Sequence, residues 1–105
     1  MKEITVQDLK RMRDNNEAHQ LIDVREQHEA DVATIGGELI PMGTILAHVD
    51  QIAKDKPVIV HCRSGARSAS VIQALESQHG FTNLHNLKGG ILAWGREIDP
   101  SVPQY

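Results

Sequence analysis

The stretch VIVHCRSGARS, residues 58–68, decides how this chain folds. It opens with an apolar run after a proline, which is typical of a central strand covered on both faces of a sheet. A short loop with Gly65 follows, and then a helical pattern begins. This order of strand, loop and helix predicts that Cys62 lies at the carboxyl edge of a parallel sheet, where open α/β sheets bind their ligands.

Short strand-like and helix-like patterns alternate on both sides of this stretch, which predicts an α/β fold with a mainly parallel sheet. We expect strands near Ile4 and at 20–24, 39–40 and 84–87. We expect helices after Thr5, at 26–33, at 45–53, from about 65 to 78, and after the pair Gly89-Gly90.

Several helix ends have recognisable sequence signals. Thr5 with Asp8 three residues later resembles a capping box, and it predicts the start of the first helix. Gly80 suits the left-handed position that ends a helix, and Phe81 can then pack back on Leu75. The apolar residues between 45 and 53 have helical spacing, so one amphipathic helix is predicted there.

Length and composition exclude several classes of protein. The 105 residues predict one domain, residues 1–105, with 40% hydrophobic residues for its core. A net charge of −3 and 3% aromatic residues argue against nucleic-acid binding. The chain has no apolar run long enough to span a membrane, and its first residues lack the pattern of a signal peptide. The histidines outside the 58–68 stretch have no metal-ligand spacing, so no metal site is expected.

The lone cysteine, Cys62, is the candidate for chemistry. It cannot form an internal disulfide, so a reducing compartment and a cytoplasmic location are expected. The N–H groups and the dipole of the following helix favour an anion there, and Arg63 and Arg67 add positive charge. All of these effects stabilise the thiolate, so the sequence predicts a lowered pKa and a nucleophilic Cys62. The alternative is a small buried thiol with a packing role only.

The polar neighbours of Cys62 have structural alternatives as well. Arg63 is either an anion contact or a solvated surface charge, and Arg67 either holds the loop or binds anion oxygens. Strand alternation turns His61 to the opposite face of the sheet, which favours a structural role over that of a general base. Asp23 and Arg25, near the same sheet edge, are interpreted as a buried ion pair that supports the site.

Three motifs in this order resemble the rhodanese domain, the fold of persulfide-forming sulfurtransferases. They are LIDVRE at 21–26, VIVHCRSGARS at 58–68 and NLKGGILAW at 86–94. The resemblance covers nearly the whole chain and implies a mostly parallel sheet of about five strands with helices on both faces. It implies that Cys62 accepts sulfane sulfur from a small anion or a protein persulfide, without a cofactor, and passes it to a thiophilic acceptor. The implied cradle for that sulfur is the loop backbone, which comprises Arg63, Ser64, Gly65, Ala66 and Arg67, with Ser68 as a supporting residue.

Two other functions stay open beside sulfur transfer. Thiolate-based phosphatases and arsenate reductases use a similar loop, but theirs is one residue longer. Here four residues separate Cys62 from Arg67, which leaves a bowl better suited to one sulfur atom than to phosphate. A non-catalytic rhodanese-like binding module is the second alternative, although such modules usually lack the cysteine.

The segments IGGELIPMG at 35–43 and AWGREIDPSVPQY at 93–105 suggest a subtype. They resemble rhodanese domains that follow ubiquitin-activating-type adenylyltransferases and serve a small ubiquitin-like sulfur carrier. Such a carrier is therefore a possible partner. The chain is either free-standing or a piece of a longer protein.

Overall fold

Five parallel strands form a single sheet in the order β1-β5-β4-β2-β3. The structure is a computed structural model and describes residues 1–105. The strands are β1 (Glu3–Ile4), β2 (Gln20–Asp23), β3 (Glu38–Leu39), β4 (Val58–His61) and β5 (Leu84–Leu87). All four residues of β4 are buried at the centre of the sheet, which confirms the interpretation of its apolar run.

Four helices pack around the sheet: α1 (Val6–Asp14), α2 (Gln27–Val32), α3 (Ala66–His79) and α4 (Gly90–Glu97). Alternate residues of β4 enter two separate cores. Val58 and Val60 belong to the cluster that contains the buried side chains of α3, whereas Ile59 belongs to the cluster with α1 and α4. The predicted α/β fold, with a parallel sheet of five strands and helices on both faces, is confirmed.

The predicted helix ends are also confirmed. Thr5 accepts a hydrogen bond from the Asp8 N–H at 3.1 Å, and the Asp8 side chain accepts one from the Thr5 N–H at 3.2 Å. Gly80 ends α3 with a left-handed φ of 68°. Phe81 is buried in the same core cluster as Leu75.

The single helix predicted for 45–53 is wrong. The segment forms two 3₁₀ turns instead, Ile45–Ala47 and Val49–Gln51. A spacing of three or four residues fits successive 3₁₀ turns as well as an α-helix, and so short a segment without a side-chain cap gains little from helix cooperativity. The apolar face itself was predicted correctly, because Ile45 and Ile52 are buried.

The start of α4 lies directly against the loop that follows β4. The N–H of Ile91 donates to the Cys62 carbonyl at 3.1 Å, and the N–H of Leu92 donates to the Arg63 carbonyl at 3.2 Å. Gly90 makes this approach possible, because a Cβ there would lie 2.4 Å from the Arg63 carbonyl oxygen. The pair Gly89-Gly90 thus forms a tight turn beside this loop. None of the helices has the length and apolar character needed to span a membrane.

Candidate active site

Cys62 is the first residue after β4, and α3 begins four residues later at Ala66. The loop between them closes through Gly65, whose φ of 110° lies in the left-handed region that favours glycine. The cysteine therefore lies at the carboxyl edge of the parallel sheet and faces the start of α3. This placement agrees with the position expected from the sequence.

The Cys62 thiol is surrounded by hydrogen-bond donors. Its Sγ accepts from the Gly65 N–H at 3.1 Å, and the Ser68 hydroxyl oxygen lies 3.4 Å away. Burial, the largest single effect, raises the pKa of Cys62. Bonds from the Ser68 hydroxyl and from the N–H groups of Ser68, Gly65 and Ser64 together outweigh burial, so the pKa lies below its ordinary value. The residue is only 1% exposed, so the sulfur lies at the base of the loop.

Asn86, on β5, holds the loop and orients Ser68. The Ser68 hydroxyl donates to Asn86 Oδ1 at 2.6 Å, and Asn86 Nδ2 donates to the Gly65 carbonyl at 3.1 Å. Asn86 is 4% exposed. Sequence reasoning missed this role, although Asn86 opens the 86–94 motif and is a polar residue on a strand beside β4.

Arg67 forms an ion pair with Glu29 of α2. Its two terminal nitrogens donate to the two carboxylate oxygens at 2.6 and 2.8 Å. The Arg67 hydrogen bonds are the main reason why the pKa of Glu29 falls from 4.5 to about 2. Arg67 therefore closes the loop against α2, and its charge is paired. Sequence reasoning did not single out Glu29.

Tyr105 connects the other arginines of the site. Arg63 donates from Nε to the main-chain oxygen of Tyr105 at 2.7 Å, and its guanidinium lies 5.1 Å from the centre of the Tyr105 ring. The Tyr105 hydroxyl accepts from Arg25 at 2.8 Å and donates to Glu29 at 2.9 Å. Sequence reasoning did not find this role for Tyr105, because its partners lie 42 to 80 residues away along the chain.

Asp23 and Arg25 form a buried ion pair, with Arg25 Nη2 2.7 Å from Asp23 Oδ2. Arg25 also donates to the Ala33 carbonyl at 2.8 Å. The pair lies behind Tyr105 and supports it, in agreement with the structural role favoured by the sequence.

His61 is fully buried, and its Nε2 has no hydrogen-bond partner. Burial lowers its pKa, so the ring is neutral at pH 7. Its Nδ1 lies 3.3 Å from the Cys62 carbonyl oxygen, and the buried position agrees with the structural role favoured by the sequence.

No group of three or more His, Cys, Asp or Glu side chains is placed to hold a metal ion.

Comparison with known proteins agrees with this geometry. The family model described as "Rhodanese-like domain" matches residues 5–97. The chain is 39% identical over 101 residues to the "Putative sulfurtransferase YtwF" of Bacillus subtilis, covering 95% of this chain and 96% of that protein. It is 33% identical over 110 residues to "Adenylyltransferase and sulfurtransferase MOCS3-1" of Zea mays, covering 97% of this chain but 23% of that protein.

A solved structure gives the same result. The crystal structure of a rhodanese-like domain protein from Staphylococcus aureus superposes with a TM-score of 0.84 at 32% identity, and the match covers 100% of this chain and 99% of that one. The family match, the relative of equal length and the shared fold agree with a lone cysteine cradled by amides after a central strand. On these grounds the chain belongs to the family of rhodanese-like domains.

Proposed function

We propose that this protein is a sulfurtransferase that carries sulfane sulfur as a persulfide on Cys62. The observation that carries the proposal is the thiol itself, whose Sγ accepts a hydrogen bond from the Gly65 N–H at the start of α3. Membership in the rhodanese-like family and the relatives named sulfurtransferases support a role in sulfur transfer.

The first half-reaction loads the cysteine. The Cys62 thiolate attacks the outer sulfur of a donor such as thiosulfate or a protein persulfide. A bond forms between Sγ and that sulfur, and the donor's own S–S bond breaks. The electron pair leaves with sulfite or with the donor thiolate, and Cys62–S–S⁻ remains.

The second half-reaction regenerates the enzyme. An acceptor nucleophile attacks the terminal sulfur of the persulfide, the Cys62 S–S bond breaks, and the electron pair returns to Sγ. In both halves a negative charge stays beside the loop. The backbone of Arg63, Ser64, Gly65, Ala66 and Arg67 is the proposed cradle for that charge, because fixed N–H groups stabilise an anion without reorganisation.

A protein acceptor is part of the proposal. The maize relative's name joins an adenylyltransferase to a sulfurtransferase, and this chain spans about a quarter of that protein's length. We infer that a small ubiquitin-like sulfur carrier is a candidate acceptor. A reducing compartment such as the cytoplasm suits a protein whose only cysteine must stay reduced.

Mass spectrometry after incubation with a sulfane-sulfur donor tests the proposal. Because Cys62 is the only cysteine, loading gives one adduct of about 32 Da on the intact chain. Cyanide then removes the added sulfur as thiocyanate. Cys62→Ser is expected to form no adduct and no thiocyanate.

The two alternatives predict different results. A binding module forms no adduct with any donor. A thiolate phosphatase releases phosphate from an aryl phosphate, and Cys62→Ser abolishes that release. Either result in the unsubstituted protein contradicts the assignment.

A further inference from the structure

Both arginines of the active-site loop, residues 62–67, are paired with other groups of this chain. Arg67 is held by both carboxylate oxygens of Glu29. Arg63 donates to the main-chain oxygen of Tyr105 through Nε and Nη2, with its guanidinium over the tyrosine ring. Neither guanidinium is therefore left as an unpaired cation beside the sulfur.

Glu29 is fixed rather than free to swing away from Arg67. Its Oε1 accepts from the Glu26 N–H at 3.1 Å, which is part of the capping box of α2. Its Oε2 accepts from the Tyr105 hydroxyl at 2.9 Å, and that hydroxyl is anchored in turn by Arg25. The Glu29 residue is 9% exposed, so its carboxylate stays beside Arg67.

This pairing changes the electrostatics at the sulfur. The hydrogen bonds that Arg67 donates to Glu29 are the main cause of its raised pKa. The charge of Cys62 also contributes, so Arg67 lies within range of the thiolate. Glu29 cancels the attraction that Arg67 would otherwise exert on an anionic donor. A dianion approaching a thiolate is then repelled more strongly than a monoanion.

We propose that Glu29, with Tyr105, sets the donor specificity of this site: it favours sulfane-sulfur donors with a single negative charge, such as persulfides and thiosulfonates, over dianionic thiosulfate. The inference rests on the proposed sulfurtransferase function and names its class of donor. Glu29 acts through Arg67, so it is a positioning residue.

Two donors with the same chemistry and different charge isolate this effect. Thiosulfate gives its outer sulfur to Cys62 and leaves as sulfite, which carries two charges. Methanethiosulfonate gives its outer sulfur in the same way and leaves as methanesulfinate, which carries one charge. In both reactions the thiolate attacks, the donor S–S bond breaks, and the charge on each side of the equation is equal.

The test compares kcat/KM for the two donors in the unsubstituted protein and in Glu29→Gln. The glutamine keeps an acceptor oxygen for the Glu26 N–H but removes the charge. The ratio of thiosulfate to methanethiosulfonate kcat/KM is expected to rise about 3- to 10-fold at low salt, through a lower KM for thiosulfate. Glu76→Gln makes the same charge change on α3, about 14 Å along that helix from Arg67. It is expected to leave the ratio unchanged.

Salt dependence in the unsubstituted protein gives a second measurement that needs no variant. With Arg67 paired, the ratio is expected to stay level or rise with ionic strength, because salt screens the repulsion of the dianion. In Glu29→Gln it is expected to fall. Tyr105→Phe removes the hydroxyl that steadies Glu29 and is expected to move the ratio in the same direction as Glu29→Gln, but less.

The outcomes separate the two proposals. A ratio that is unchanged in Glu29→Gln, or one that falls steeply with salt in the unsubstituted protein, overturns the specificity role while sulfur transfer stands. Absence of a Cys62 adduct with both donors overturns the sulfurtransferase assignment, and the specificity role with it.

Discussion

Hydrogen-bond donors contribute more to the stability of the Cys62 thiolate than the charges of the two loop arginines do. The donors are the Gly65 N–H, the Ser64 and Ser68 N–H groups and the Ser68 hydroxyl. Donors fixed by the backbone would keep their orientation while the proposed reaction moves charge from Sγ to a persulfide sulfur. The sequence places the right residues at the thiol, but it overstates the contribution of the arginines.

At the residue scale, Ser68 has one hydroxyl proton and two acceptors. In the resting arrangement the shorter contact is to Asn86, at 2.6 Å against 3.4 Å to Cys62. A thiolate is a better acceptor than a thiol, so ionisation of Cys62 draws the Ser68 proton towards Sγ. Ser68 therefore supports the ionised form.

Ser68→Ala is expected to slow alkylation of Cys62 by iodoacetamide at pH 7 by about 10-fold, because a hydrogen bond to a charged group is lost. The pH profile of the rate should move to higher pH, since the pKa of Cys62 rises. Ser70→Ala, on the exposed side of the same helix, serves as the control. An unchanged profile in Ser68→Ala would mean that the hydroxyl stays with Asn86 in both states.

At the scale of elements, α4 and the active-site loop depend on each other. The first N–H groups of α4 donate to the carbonyls of Cys62 and Arg63, so the loop caps the helix while the helix fixes the loop. This contact requires the backbone of Gly90 to approach the loop closely, with a left-handed φ of 59°.

Gly90→Ala is expected to lower the free energy of unfolding by about 2 to 3 kcal/mol, since the added Cβ meets backbone atoms and the φ is strained. Sulfur loading of Cys62 should slow as well, because the loop must move. Gly43→Ala is the control: its Cβ would meet nothing within 4 Å. Urea unfolding measures the difference, and equal stability of the two variants would contradict the packing argument.

At the scale of the whole molecule, the sequence predicts local features better than contacts between distant parts of the chain. Periodicity and local motifs predict the strands, the capping box at Thr5 and the position of Cys62, because each depends on residues close together in the chain. The misassigned helix at 45–53 shows the limit of periodicity, which indicates the buried face but not the type of turn. Glu29, Asn86 and Tyr105 escaped prediction, because their partners are brought together only by the folded sheet.

The Glu29 contacts also join distant parts of the chain, since they link α2, α3 and Tyr105. Such a link contributes to stability only while the carboxylate is ionised. The pKa of Glu29 falls from 4.5 to about 2 on folding, so its contribution is present above pH 4.5 and is lost as the pH falls towards 2. The Arg67 side chain is 35% exposed, and solvent screening reduces the contribution to about 2 kcal/mol.

Acid unfolding therefore distinguishes Glu29→Gln from the unsubstituted protein in a defined pH range. Above pH 4.5 the variant is expected to be less stable by about 2 kcal/mol, and the difference should shrink as the pH falls towards 2. Glu76→Gln controls for the loss of a carboxylate and should follow the unsubstituted protein. Burial of neutral His61 also weakens the fold in acid, but it acts from about pH 6.5 downwards and equally in all three proteins. A stability difference that stays constant from pH 6 to pH 2.5 would show that the Glu29 charge contributes nothing, and that glutamine is worse only in its packing.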